Sequence, residues 1–227
     1  MARQVRSEAT RRKILDAAVD VFSEVGYAAA AWGTIIERTG MTKGALYHHF
    51  DSKEALASDI INEGADVMLR AFRNVCVSAS PALENMIHGT FAFASVLNSD
   101  KTVRAAEQLA AALSGFNEAA ARSSASCVGE MAAEARRAIA EGDLRDDVDP
   151  EVLSESIIGA LFGTRLLLTA MSGAPGSEIQ NQDLSGRLLQ LWTLLLPGIV
   201  TEASLPYFRQ FLAREAMRHA RPAAPTG

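Results

Sequence analysis

The stretch Gly40-Met41-Thr42-Lys43-Gly44-Ala45-Leu46-Tyr47-His48-His49-Phe50-Asp51-Ser52-Lys53-Glu54-Ala55-Leu56 decides how the rest of the chain is read. Gly40 closes the element before it, and Thr42 carries the hydroxyl that caps a helix running from there to about Phe50. On that helix Lys43 and Tyr47 stand four apart and share a face, Gly44 and His48 share the neighbouring one, and Leu46 and Phe50 point inward from another side. Gly44 and Ala45 lack bulk, so the backbone can come close to an outside surface. A glycine inside so short a helix costs about 1 kcal/mol relative to alanine. A close approach is a reason to tolerate that cost. The capped end also offers free backbone N–H groups and a positive dipole, which suit a phosphate.

Working upstream, Ile14, Ala18, Val21, Phe22 and Val25 recur at helical spacing, with Ser7 or Thr10 as a cap and Gly26 as a left-handed stop. A short helical segment follows around Ile35 and Ile36. Three helices in the first fifty residues, the last two joined by a glycine-containing turn, make a helix-turn-helix pattern. The run from Gly40 to Leu56, with Ile14, Ala17, Ala18, Phe22 and Gly26-Tyr27 before it, closely resembles the signature of the TetR family of transcriptional repressors. The resemblance covers roughly the first sixty residues.

That resemblance implies a sequence-specific DNA-binding repressor, dimeric on a pseudo-palindromic double-stranded operator and released by a small, mostly apolar effector. Lys43 would donate to guanine O6 and N7 in the major groove. Thr42, Tyr47 and Lys53 would hold phosphates, while Gly44 and Ala45 allow the approach. His48 and His49 are included in the DNA-binding set, one facing the duplex and the other packing beneath the helix. One departure stands just before the second helix, where Ala30-Ala31 replace the hydroxyl pair common in the family. Thr34 supplies a hydroxyl slightly later and joins the DNA-binding set for that reason.

Downstream the pattern stays helical, and the expected fold class is all-α. Helices are predicted from Ser52 through Phe72, from Ser80-Pro81, from Lys101 to Leu113 and from Phe116 to Glu141. Further helices run from Asp149-Pro150 to Met171, from Leu184 to a break or kink at Pro197-Gly198, and from Thr201 to His219. The polar stretch 172–183 reads as a loop. The expected organisation is a DNA-binding domain over 1–53, a helical effector-binding and dimerising domain over 54–219, and a disordered tail over 220–227.

The chain of 227 residues is 48% hydrophobic and 22% charged, the balance of a globular protein. Its net charge of −5 is unevenly spread: residues 1–53 hold eight Lys/Arg against six acids, and the remainder 14 against 21. A basic end on an acidic body suits docking of one end on phosphates. The two cysteines, Cys76 and Cys127, are far apart and match no disulfide or zinc pattern, and buried thiols in a reducing compartment are expected. No secretory leader is read at Met1-Ala2-Arg3-Gln4, and the greasy run Leu188–Val200 is too short to span a bilayer, so the expected location is cytoplasmic, away from membranes. No catalytic motif, metal site or cofactor site is read, and an enzyme is not expected.

Within the family, the Met-Ala-Arg-Gln start, the run Thr42–Tyr47 and Gly163-Thr164-Arg165 look most like the γ-butyrolactone autoregulator receptors. That branch carries a pocket tryptophan in its long central helix. Counting back from Gly142-Asp143-Leu144 without gaps places Cys127 there, which points to a pseudo-receptor with another ligand or none. Candidate pocket residues are Met86, Phe91, Phe93, Phe116, Cys127, Met131, Phe162 and Arg165, with plain core packing the competing reading for the apolar ones. Arg165 wants an anionic or carbonyl partner, either on a ligand or on an acid such as Glu155 or Glu107. The resemblance puts the homodimer interface on the last two long helices, with Ile157, Leu161, Leu188, Leu191, Trp192 and Leu195 as its candidates, most of which suit a core equally well. An alternative is a regulator whose helical domain binds a protein partner.

Overall fold

The computed structural model describes residues 2–76, 80–171 and 184–219. Among these lie ten helices: α1 (Ala2–Ala29), α2 (Trp32–Thr39), α3 (Lys43–His49), α4 (Lys53–Val75), α5 (Ala82–Ser99), α6 (Lys101–Ala112), α7 (Glu118–Ala140), α8 (Pro150–Met171), α9 (Leu184–Ile199) and α10 (Leu205–His219). The fold is all-α, with one isolated antiparallel bridge between Leu144 and Val200 among the described residues. The expected loop over 172–183 and the expected tail over 220–227 lie outside the described residues.

The helices form two compact units, one of residues 1–69 with 96–126 and the other of 70–95 with 127–227. This division differs from the expected boundary after residue 53. Turn residues mark where elements end, whereas these units change over inside α4, α5 and α7, where composition carries no punctuation.

The first unit is built on a core of Ile14, Ala18 and Phe22 from α1, Ile35 from α2, Leu46 from α3, Leu56 and Ile60 from α4, and Ala105 and Leu109 from α6. Gly26 adopts φ 75° and interrupts α1, as its position in the sequence predicts. Gly40 is left-handed at the end of α2, with its N–H bonded to the carbonyls of Ile36 and Glu37. Gly64 has a different task. A Cβ placed there would stand 2.3 Å from the Cβ of Ala106, so α4 and α6 touch almost backbone to backbone.

The second unit buries Trp192 completely, and its indole N–H donates to the Thr90 hydroxyl at 2.9 Å. Phe72 stacks on Phe93 with ring centroids 5.3 Å apart, and Gly89 leaves room for the Phe72 ring. Glu141 accepts from the Ala82 N–H at 2.7 Å, and Asn85 donates to Glu134 at 3.1 Å.

Three element boundaries depart from expectation. α7 opens at Glu118 and not at Phe116, because Asn117 is its cap: the Asn117 Oδ1 accepts from the Ala120 N–H at 3.1 Å. α9 continues through Pro197 to Ile199. The proline deprives the Thr193 carbonyl of its helical donor, and both residues are exposed, so water can take the donor's place. α10 opens at Leu205 because Thr201 and Ser204 are engaged by the turn after α7. There Thr201 donates to the Gly142 carbonyl at 3.0 Å and Ser204 to Asp143 at 2.7 Å.

By length and composition α8 could cross a membrane. Leu153, Ser154, Ile157, Ile158 and Leu161 are buried along one side of its first half.

Candidate nucleic-acid interface

The exposed face of α3 is assembled as the sequence implies. Thr42 has an extended backbone and its hydroxyl accepts from the Ala45 N–H at 3.3 Å. Leu46 and Phe50 are buried in the core, which leaves Lys43, Gly44, Tyr47 and His48 facing outward. Ala45 and His49 are half-buried. A Cβ on Gly44 would meet nothing within 4 Å, so the glycine lies on open surface and no internal neighbour demands it. The Lys43 ammonium stands 5.7 Å from the Tyr47 ring centre, and Tyr47 in turn lies 5.6 Å from Trp32 of α2. An aromatic pair thus braces the outer face of the two-helix unit. Burial, reinforced by His48 and Arg11, pushes the His49 pKa below that of a free imidazole. No group of three or more metal-binding side chains occurs among the described residues.

Other residues of this end take parts the sequence did not show. The Lys53 ammonium, expected on a phosphate, donates to the Tyr27 carbonyl at 2.8 Å and the Ala30 carbonyl at 3.0 Å. It also lies 4.4 Å from the Tyr27 ring centre. Lys53 therefore closes the C-terminal end of α1, where unpaired carbonyls and the negative dipole end favour a cation. Arg11 pairs with Asp59, Arg12 with Glu63, and Arg38 with Glu24 at 2.7 Å. The basic excess of residues 1–53 is thus partly neutralised within the fold, and overall charge balance was a poor guide to the free cations. Ala31 occupies the cap position of α2 with no side-chain hydrogen bond, and Thr34 is exposed.

In the second unit Met86, Phe91, Phe93, Cys127 and Met131 are buried, with Phe162 and Arg165 half-buried. Phe116 does not join them. It belongs to the first unit, in the turn before α7, and is 68% exposed. Burial drives the Cys127 thiol pKa up to about 11 and that of Cys76 to about 12.

The interface candidates divide in a similar way. Ile157, Leu161, Leu188 and Trp192 are fully enclosed within one chain and have no surface to offer a second. Leu191 and Leu195 are half-buried. Helical spacing marks an apolar stripe without saying which partner covers it. The large apolar side chains left outside on these two helices are Val152, Leu166, Leu167 and Met171 on α8 and Leu194 on α9. Thr90 was missed altogether, since nothing in sequence pairs a mid-helix threonine with an indole far along the chain.

A short helix that buries one side and presents a lysine, a glycine and a tyrosine on the other, held on an all-helical body, is how helix-turn-helix regulators of transcription are constructed. That is the class to which this protein belongs. The model for bacterial regulatory proteins of the tetR family matches residues 14–60. The A-factor receptor protein of Streptomyces griseus is 32% identical over 199 residues, which cover 88% of this chain and 67% of that one. The chain is a member of the TetR family, whose proteins are DNA-binding regulators of transcription.

Solved structures agree over nearly the whole length. Full-length TylP, a TetR regulator from Streptomyces fradiae, is 29% identical with a TM-score of 0.65, covering 96% of this chain and 94% of its own. A γ-butyrolactone receptor described as ArpA-like is 23% identical with a TM-score of 0.73, covering 94% and 99%, and shares the fold.

Proposed function

We propose that this protein is a ligand-relieved repressor that binds a pseudo-palindromic duplex as a homodimer, with α3 in the major groove of each half-site. The observation that carries this reading is the outward face of α3. Lys43, Gly44, Tyr47 and His48 are exposed while Leu46 and Phe50 anchor the helix. Lys43 reads a guanine, Thr42 and Tyr47 hold phosphates, and Thr34 and His49 sit at the margin. Lys53 contributes mainly by fastening α4 to α1. A dimer supplies the second half-site. Its contact surface is built around Leu166, Leu167 and Leu194, because their apolar side chains stay outside the core of the single chain.

The effector is a small, mostly apolar molecule held among Met86, Phe91, Cys127, Met131 and Phe162, with Arg165 as a polar anchor. A gap-free count puts Cys127 where the γ-butyrolactone receptor branch carries tryptophan, and on that reading lactones of that type bind weakly or not at all.

The test uses duplexes enriched from a random-sequence library by the wild-type protein. Lys43→Ala weakens binding by about 1–3 kcal/mol and relaxes preference at one base pair per half-site. Unchanged preference would remove Lys43 from base readout. Authentic γ-butyrolactones added to the complex leave it intact; release at nanomolar lactone would reverse the reading of Cys127.

A further inference from the structure

Asn117 is 6% exposed, and both ends of its amide are engaged within the first unit. Its carbonyl oxygen caps α7 through the Ala120 N–H at 3.1 Å. Its amide nitrogen donates to the Ser58 hydroxyl at 2.9 Å and to Glu54 Oε1 at 3.2 Å, both on the first turns of α4. A cap alone needs only the oxygen. The paired donation reaches across to a helix that α7 does not follow in sequence.

The first turn of α4 is where α3 is placed. Only residues 50–52 separate the end of α3 from α4. Ser52 caps α4 by accepting from the Ala55 N–H at 3.0 Å. Lys53, beside Glu54, reaches the Tyr27 and Ala30 carbonyls at the junction of α1 and α2. One turn of helix is therefore tied on one side to the α1–α2 junction and on the other to the start of α7. We propose that Asn117 is a positioning residue for DNA recognition: by holding Glu54 and Ser58 it sets the α4 turn that aims α3. This rests on the DNA-binding reading above.

Asn117→Asp separates the two roles. Aspartate caps a helix as well as asparagine does. It cannot donate from that position, and it sets a second carboxylate against Glu54. Three proteins are compared: wild type, Asn117→Asp, and Asn117→Asp with Glu54→Gln, in which the glutamine amide donates to the aspartate and restores the pair with its polarity reversed. Binding is measured on duplexes enriched by the wild type, and amide hydrogen exchange is followed in α4 and α7.

The expected result is about a tenfold loss of affinity in Asn117→Asp, in the range of ordinary site-to-site coupling. Exchange quickens in 53–58 while α7 keeps its protection, and the double variant recovers most of the affinity. Wild-type affinity and exchange in Asn117→Asp would overturn the proposal. So would a loss shared by α7, or a double variant no better than the single, since either marks general damage. If the wild type enriches no duplex, the DNA-binding reading fails, and the exchange comparison still decides whether Asn117 holds α4.

Discussion

Two lysines ten positions apart show how little residue type says about role. Lys43 is exposed on the outer face of α3 beside Tyr47. Lys53 is turned inward onto two carbonyls. Charge is the same; what differs is whether unpaired backbone acceptors lie within reach. Ala31 is the converse case, a cap position with a side chain that cannot cap. Ala31→Ser should stabilise the protein by about 0.5–1 kcal/mol, read as a higher urea midpoint with an unchanged slope. No gain would mean that the α2 donors are already satisfied by water. The cysteines carry a second expectation. Burial favours the neutral thiol, so iodoacetamide labelling of the native protein should stay slow until pH approaches about 11 for Cys127 and about 12 for Cys76, where the thiolates appear. Fast labelling at pH 8 would show that either site opens readily.

At the scale of elements, α4 organises the first unit. Arg11 and Arg12 of α1 pair with its Asp59 and Glu63, Asn117 bonds its first turns, and Gly64 brings it against α6. The ion pairs are largely exposed and add little individually. The close approach at Gly64 cannot be adjusted by rotating a side chain, because the atom it would strike is the Cβ of Ala106. Gly64→Ala should therefore destabilise the protein by about 1–3 kcal/mol despite the better helix propensity of alanine. A variant as stable as wild type would show that α4 and α6 can separate freely. In the second unit, Thr90→Val strands the buried Trp192 N–H and should cost about 1–3 kcal/mol, measured the same way.

At the scale of the whole molecule, a single reading helix spans only a few base pairs, so the proposed function calls for a second copy. Leu194 is 79% exposed, with Leu166 and Leu167 also outside the core. Leu194→Glu should shift the protein toward monomer in sedimentation at micromolar concentration and abolish binding to the enriched duplex. Trp192→Phe should leave the dimer intact, since that side chain is enclosed in its own chain. Monomer formation by Trp192→Phe, with Leu194→Glu still dimeric, would return the interface to the residues that the family resemblance suggested.

The helix-turn-helix was legible because its signals are local. Gly26 interrupts α1 and Gly40 ends α2, Thr42 starts a helix, and the alternation of Leu46 and Phe50 with Lys43 and Tyr47 assigns inside and outside within a few turns. The all-α class followed from the same helical periodicity along the rest of the chain. What tertiary structure decided was which groups meet across long separations. Lys53 found carbonyls more than twenty residues back, Asn117 found α4, and Trp192 found Thr90. Tertiary packing also decided which apolar stripe each helix keeps for its own core and which it leaves outside. Periodicity sets the angle at which a side chain leaves its helix; the neighbour it meets depends on how helices distant in sequence pack together.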